Sequence, residues 1–195
     1  MEHPDLRVSV LVESSDVLLE QLALNRIDLM IGRLFARHDK RYLHYEPIAE
    51  EQVCAIARPG HPLLSLRKPQ LAQLSALPWV VPPEGSVLRH RFELMFQNAG
   101  LEAPRRVIAT AALVMLPRLL QDSDHLAVVP VDVARHYARH DMVRIVPVEL
   151  SCRMDSFGFI TRTDWLLSPG ARTVLASLQD AARRVYAADG AASPR

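Results

Sequence analysis

The sequence predicts an α/β fold with mostly parallel sheets, and three observations carry that prediction. Strand-like apolar runs alternate with amphipathic helical stretches along the whole chain. Helix-start and helix-stop residues punctuate the alternation. The 14 prolines, many of them at strand ends, favour many short elements over a helical bundle.

The first element is the alternating stretch Leu6-Arg7-Val8-Ser9-Val10-Leu11-Val12, which reads as a strand. Ser14-Ser15-Asp16 offers N-cap oxygens for a helix with apolar Leu18, Leu19, Leu22 and Ala23. Asn25, tolerated in the left-handed conformation, stops it. The apolar run 27–31 is the next strand, so the opening reads as a βαβ unit with parallel strands and a right-handed crossover. Asp28 interrupts this run, and Gly32-Arg33 closes it, so a guanidinium is delivered at the strand's carboxyl end.

Two extended pieces follow, Tyr42 to Ile48 and Gln52 to Ala57, and Arg58-Pro59-Gly60-His61-Pro62 is a turn. Leu71 to Leu74 suits a short helix, and Trp79-Val80-Val81 a buried strand ending in Pro82-Pro83-Glu84-Gly85. Ser86 caps a helix with Leu88, Phe92, Met95, Phe96 and Ala99 on one face, and Gly100 ends it. A strand around 106–109 leads into a helix from Thr110 that is irregular near Pro117. Leu126-Ala127-Val128-Val129 is a further strand, and Pro130 opens a helix over 131–139. The last strands are 143–148 and 156–160. Ser168-Pro169 starts a final helix with Val174, Leu175, Leu178, Ala182 and Val185 on one side, followed by a small, polar, disordered tail. The extended regions near 42–57 and 143–160 are where the chain passes between two sub-domains.

Composition excludes several classes. The 195 residues carry 23 Lys+Arg and 22 Asp+Glu, with 49% hydrophobic residues, as in an ordinary soluble chain. A net charge of +1 leaves no electrostatic footprint for nucleic acid. No apolar run is long enough to span a membrane, and Met1-Glu2-His3-Pro4 does not begin an export signal. Two cysteines, Cys54 and Cys152, are too few for a disulfide framework or a structural zinc site, which points to a reducing cytoplasm.

Five stretches together resemble the effector-binding domain of LysR-type transcriptional regulators. They are "HPDLRV" from His3, "RIDLMIGRL" ending at Leu34, "RPGHPL" from Arg58, "PWVVPP" from Pro78 and "LAVVP" from Leu126. They fall in the family's order from about residue 3 to residue 187, and "PWVVPPEGSVLR" and "LLQDSDHLAVVPVDVAR" are similar to the branch that includes regulators of aromatic-acid catabolism and of sugar-binding proteins. The resemblance implies two Rossmann-like sub-domains joined by two crossing segments, like a type 2 periplasmic binding protein, with a small effector in the cleft. By it, sub-domain I holds residues 1–51 and 152–188, sub-domain II holds 52–151, and 189–195 is the disordered tail. The family's winged helix-turn-helix and dimerising helix are not in this sequence, nor is the βα unit that precedes "HPDLRV" in sub-domain I. The expectation is a sensor truncated at its N-terminus that does not bind DNA by itself. A homodimer is the expected assembly, with family dimers pairing sub-domain I of one chain with sub-domain II of another.

Parallel sheets bind ligands at the carboxyl ends of their strands, where helix N-termini present free N–H groups. The junctions of this kind nominate Ser14, Ser15, Arg33, Pro83, Glu84, Gly85, Ser86, Thr110 and Pro130. Hydroxyls at helix starts beside a guanidinium suit a carboxylate, because Arg offers a planar fork of donors. By the resemblance, Ser15 matches a position whose hydroxyl touches effector, and Arg33 a cleft arginine. The plainer readings are a helix cap for Ser15 and a solvated strand end for Arg33.

Other constellations read as structural. His136 and His140 have metal-ligand spacing, but no third ligand accompanies them. Cys54 and Cys152 read as buried small hydrophobes, Asp122-Ser123-Asp124-His125 as a polar loop, and Trp79 as core. Glu84-Gly85-Ser86 lacks the lysine of a phosphate loop. No nucleophile has an identifiable base, so the reading is a non-enzymatic sensor of a small anionic or aromatic metabolite, without cofactor. The competing readings are a solute-binding protein of the same fold and a non-functional remnant of a regulator.

Overall fold

The computed structural model describes residues 3–34 and 40–186. The chain forms two compact units: the first runs to Glu50 and resumes at Asp155, and the second is Glu51–Met154. The predicted tail lies outside the described residues. In chain order, the first unit opens with α1 (Ser15–Ala23), β1 (Met30–Gly32) and β2 (Leu43–Ala49). The second contains β3 (Val53–Ala57), α2 (Leu71–Ser75), β4 (Trp79–Val81), α3 (Val87–Asn98) and β5 (Val107–Ala109). It continues through α4 (Leu116–Gln121), β6 (Leu126–Pro130), α5 (Val131–Arg139) and β7 (Arg144–Ile145). The first unit is completed by β8 (Phe157–Arg162) and α6 (Pro169–Tyr186). Among the described residues, no helix is long and apolar enough to cross a membrane.

The second unit has a five-stranded mixed sheet in the order β5-β4-β6-β3-β7. Strand β4 runs parallel to both β5 and β6, whereas β3 is antiparallel to β6 and β7. Both faces are covered, so every residue of β3 is buried. Alternate residues divide between the faces, as the pleat requires. Ala55, Trp79, Val81, Leu126 and Val128 pack with Leu74, Phe92, Met95 and Phe96 of α2 and α3. Ile56, Val80, Ala127 and Val129 pack with Leu116, Leu120 and Ala134 of α4 and α5. Trp79 is wholly buried, donates its indole N–H to the Leu74 carbonyl at 2.9 Å, and lies with its ring centroid 4.8 Å from that of Phe92.

The first unit departs from the sequence expectation. Its sheet, β1-β8-β2, has β8 in the centre and antiparallel to both neighbours, so the predicted parallel βαβ pair is not formed. Residues 6–14 carry no regular secondary structure before α1, and Val10 and Val12 are 81% and 86% exposed. A strand needs a neighbour to take up its N–H and C=O groups, and the described strands offer this stretch none. The strand expected from Ile27 begins at Met30, because its partner β8 meets it only over Met30↔Ile160 to Gly32↔Gly158. Asp28 therefore lies in an exposed turn before the strand rather than inside it. Gly158 is required in β8: a Cβ there would lie 2.3 Å from the Glu46 carbonyl oxygen, beside an irregularity in the β2 register between Pro47 and Ala49.

Helix α1 covers one face of this sheet, with Leu18, Leu19 and Leu22 against Met30 and Ile160. It ends in a Schellman motif: Asn25 has φ 55°, its N–H donates to the Leu22 carbonyl, and the Arg26 N–H donates to that of Gln21. Two helix predictions need correction. Pro117 lies in the first turn of α4 instead of kinking a helix begun at Thr110, since a first-turn proline breaks no helical hydrogen bond. On α6 only Ala171 is fully buried, and Val185 is exposed, because a three-stranded sheet is too narrow to cover an 18-residue helix to its end.

Candidate functional site

In the first unit, α1 and β1 bring Ser15 and Arg33 together. The Arg33 backbone N–H points at Ser15 Oγ, 3.5 Å away, and its side-chain Nε donates to the Asp155 carbonyl at 3.0 Å. Gly32 permits this approach, since a Cβ there would sit 3.3 Å from Ser15 Oγ and 2.6 Å from the end of the Met30 side chain. Ser14 is the N-cap of α1 by backbone geometry, yet its side chain makes no capping bond. Its exposed hydroxyl is therefore not spent on the helix. Two hydroxyls and a partly buried guanidinium thus share the carboxyl end of β1 with the positive end of a nine-residue helix.

The second unit gathers its candidates at one edge as well. Because β4 is parallel to β5 and β6, with Val81 opposite Ala109 and Val80 opposite Ala127, the carboxyl ends of the three strands lie side by side. Pro83, Glu84, Gly85 and Ser86 follow β4, Thr110 follows β5, and Pro130 ends β6. Gly85 adopts φ 79°, which turns the chain into α3. Ser86 is committed to that turn: its Oγ donates to the Pro83 carbonyl at 2.7 Å and accepts from the Arg89 N–H at 3.4 Å. It can still accept a hydrogen bond but has no further proton to give. Thr110 accepts from the Ala112 N–H at 3.0 Å and keeps its hydroxyl proton for another partner. Pro130 ends β6 and is at the same time the N-cap of α5, one position before the helical place expected for it.

The remaining polar residues build structure. Arg58 binds the Asp124 carboxylate through Nε and Nη2, at 3.2 and 2.7 Å, and this guanidinium holds the Asp124 pKa below its usual value. His61 is buried, and its Nδ1 accepts from the Leu63 N–H. That leaves Nε2 to carry the proton toward the Asp124 carbonyl, 3.3 Å away. No local pattern cues this second contact, because the partners are 63 residues apart. Burial, helped by the Arg106 charge, pushes the His125 pKa down. Cys54 and Cys152 are free buried thiols, each with its pKa raised to about 11, chiefly by burial. His136 and His140 meet edge to face with ring centroids 5.3 Å apart, and among the described residues no group of three or more His, Cys, Asp or Glu could hold a metal ion.

A concavity of about 240 Å³ lies within the first unit, under α6, where Glu46, Phe159, Gln179, Arg183 and Tyr186 contribute to its wall. None of the residues nominated from the sequence lines it.

Residues 1–183 match the LysR substrate binding domain family. The HTH-type transcriptional regulator GbpR of Azospirillum brasilense is 37% identical over 181 residues, which cover 92% of this chain and 53% of that protein. The chain spans about half the length of the curated relatives it matches. Among solved structures, the CcmR regulatory domain of Synechocystis PCC6803 in complex with 2-PG superposes with a TM-score of 0.76 at 18% identity, covering 94% of this chain and 87% of that one. The effector binding domain of QuiR in complex with shikimate gives a TM-score of 0.73 at 12% identity, covering 94% and 85%. These likenesses agree with the α/β architecture of mixed sheets described above, and the match over residues 1–183 shows that the chain belongs to the LysR family as a substrate-binding domain.

Proposed function

We propose that the chain is the small-molecule sensor of a LysR-type transcriptional regulator, acts without catalysis or cofactor, and works in the cytoplasm. Its ligand is a small anionic or aromatic metabolite. The candidate contacts in the first unit are Ser14, Ser15 and Arg33, and the second unit offers Pro83, Glu84, Gly85, Ser86, Thr110 and Pro130. The observation that carries this reading is the meeting of Ser15 and Arg33 at the carboxyl end of β1. A guanidinium beside hydroxyls and a helix N-terminus supplies both the charge and the directed donors that a carboxylate needs. Shikimate, bound by the QuiR domain, is itself a carboxylate. The regulators that resemble this chain support a sensing role over an enzymatic one. Binding of DNA by the whole regulator would belong to sequence outside the matched domain.

A thermal-shift screen of small carboxylates, shikimate and benzoate among them, tests the reading. A ligand at 100 times its Kd stabilises the fold by about 2.7 kcal/mol, a readily measured rise in midpoint. Ser15→Ala and Arg33→Ala are expected to reduce that rise. A panel without a single hit, or a hit that both variants bind as well as the parent, would overturn the proposal.

A further inference from the structure

We infer that the concavity under α6 is a second small-molecule site, and that it takes a zwitterionic amino acid with an apolar side chain. Its walls come from β2, β8 and α6 alone, so it lies wholly within the first unit. Glu46 and Phe159 stand opposite each other in the β2–β8 register and therefore share one face of the sheet. Gln179, Ala182, Arg183 and Tyr186 follow at i, i+3, i+4 and i+7, which sets them on one face of α6, turned toward that pair. At about 240 Å³ the cavity falls below the range of about 300–1,000 Å³ usual for larger ligands, and so fits a small metabolite. None of the residues assigned above to the effector lines it, so the inference stands apart from that reading.

Two charges give the cavity its chemistry. A carboxylate on a sheet face beneath a helix loses part of its hydration and needs a partner in exchange. Glu46 is half-buried, and its Oε2 accepts from Gln179 Nε2 at 2.6 Å. That amide is neutral, and among the described residues Glu46 forms no ion pair. Arg183 shares the cavity, yet its Nη2 is turned to Asp180, a neighbour on its own helix. Its Nε and Nη1 remain for a second acceptor. One lining group thus calls for a cation and another for an anion, and neither satisfies the other. An α-amino acid carries an ammonium and a carboxylate on the same carbon and meets both needs. Much of the remaining wall is apolar. Phe159 is buried, and the Tyr186 ring is held edge-on by Phe157 with centroids 5.7 Å apart, which suits an apolar side chain.

Isothermal titration calorimetry of the full chain with L-phenylalanine and L-leucine, each up to about 10 mM, reads the binding expected of so small a ligand. L-phenylalanine is expected to bind about tenfold or more tightly than phenethylamine, which lacks the carboxylate, and than hydrocinnamate, which lacks the ammonium. Glu46→Gln removes the charge but keeps a partner for Gln179, and is expected to weaken binding about tenfold or more. Arg183→Met, at an exposed position that the fold does not depend on, is expected to do the same. Ala182→Leu fills the cavity without touching either charge and is expected to weaken binding as well. Ser15→Ala and Arg33→Ala, which act at the effector site proposed above, are expected to leave the titration unchanged. Three results would each overturn the inference: no binding of either amino acid, hydrocinnamate binding as tightly as L-phenylalanine, or a titration indifferent to Glu46→Gln and Arg183→Met.

Discussion

The guanidinium of Arg162 reaches across 137 residues of sequence to the side chain of Asn25, with Nη1 donating to Asn25 Oδ1 at 2.7 Å. The same nitrogen donates to the Ala23 carbonyl at 2.8 Å, while Nε and Nη2 hold the two carboxylate oxygens of Asp164 at 2.9 and 2.6 Å. One side chain at the end of the central strand thus satisfies an orphan carbonyl of α1 and fixes the residue that reverses the chain after it. Arg162→Met is expected to fray α1 and lower the melting midpoint, seen as reduced helical signal before the main transition. Arg162→Lys should recover only part of the loss, because one ammonium cannot reproduce the fork. An unchanged melt for Arg162→Met would show that the cap is dispensable.

Phe92 sits between Trp79 and Phe96, with ring centroids at 4.8 and 5.2 Å, and is buried. Removing it leaves a cavity that the covered sheet cannot collapse to fill. Phe92→Ala is expected to destabilise the second unit by about 3–5 kcal/mol, whereas Phe92→Leu should cost about 1.5 kcal/mol or less. Urea unfolding followed by Trp79 fluorescence, in a Trp165→Phe background that removes the other indole, separates the two.

Stability should fall as pH drops below about 6.5, the ordinary histidine value. Burial lowers the folded pKa of His125, so in the interval between the folded and unfolded values the unfolded chain binds more protons and gains on the folded one. The carboxylate of Asp124 acts in the same direction at lower pH: its folded pKa is also lowered, by Arg58, so its contribution is present above the unfolded carboxyl value and lost as pH falls through the folded one. His125→Gln is expected to flatten the loss between pH 7 and pH 5 while leaving the acid limb below pH 4 in place. A parent-like slope in this variant would assign the neutral-pH loss to another group.

Both thiols should be inert in the folded protein at pH 7.5. With pKa values of about 11, Cys54 and Cys152 carry almost no thiolate there, and both side chains are buried. A thiol-reactive chromogen is expected to titrate neither group until denaturant is added, and both thereafter. Rapid native labelling of one cysteine would reveal a local opening of the sheet around it.

Much of the fold was legible because its signals are local. Asn25 stops α1 through its own backbone, Ser86 and Gly100 bound α3, and Pro130 marks the change from β6 to α5; each acts within a turn of its own position. The first unit departs from its sequence expectation where structure depends on distant chain. Alternation over Leu6 to Val12 is a necessary sign of a strand, but a ladder also needs a neighbour, and periodicity carries no information about that neighbour. Ile27 fails to join the sheet for the same reason: the extent of β1 is set by β8, which lies far along the sequence. The candidate site shows the same division. The places of Ser15 and Arg33 at a helix start and a strand end are readable locally, and the structure sets the two side by side. The Asp155 carbonyl that receives the Arg33 guanidinium is not readable, since a backbone acceptor has no signature in a side-chain alphabet.

The side-by-side ends of β4, β5 and β6 have a consequence for diversification. Of the strands that anchor the three connections, β4 and residues Leu126 to Val129 of β6 are interior and packed from both faces, whereas β5 is an exposed edge, and Pro83, Glu84 and Gly85 are exposed as well. The connections are therefore exchangeable parts on a fixed mount: a segment grafted between Val81 and Val87 inherits its anchor points without asking the interior to repack.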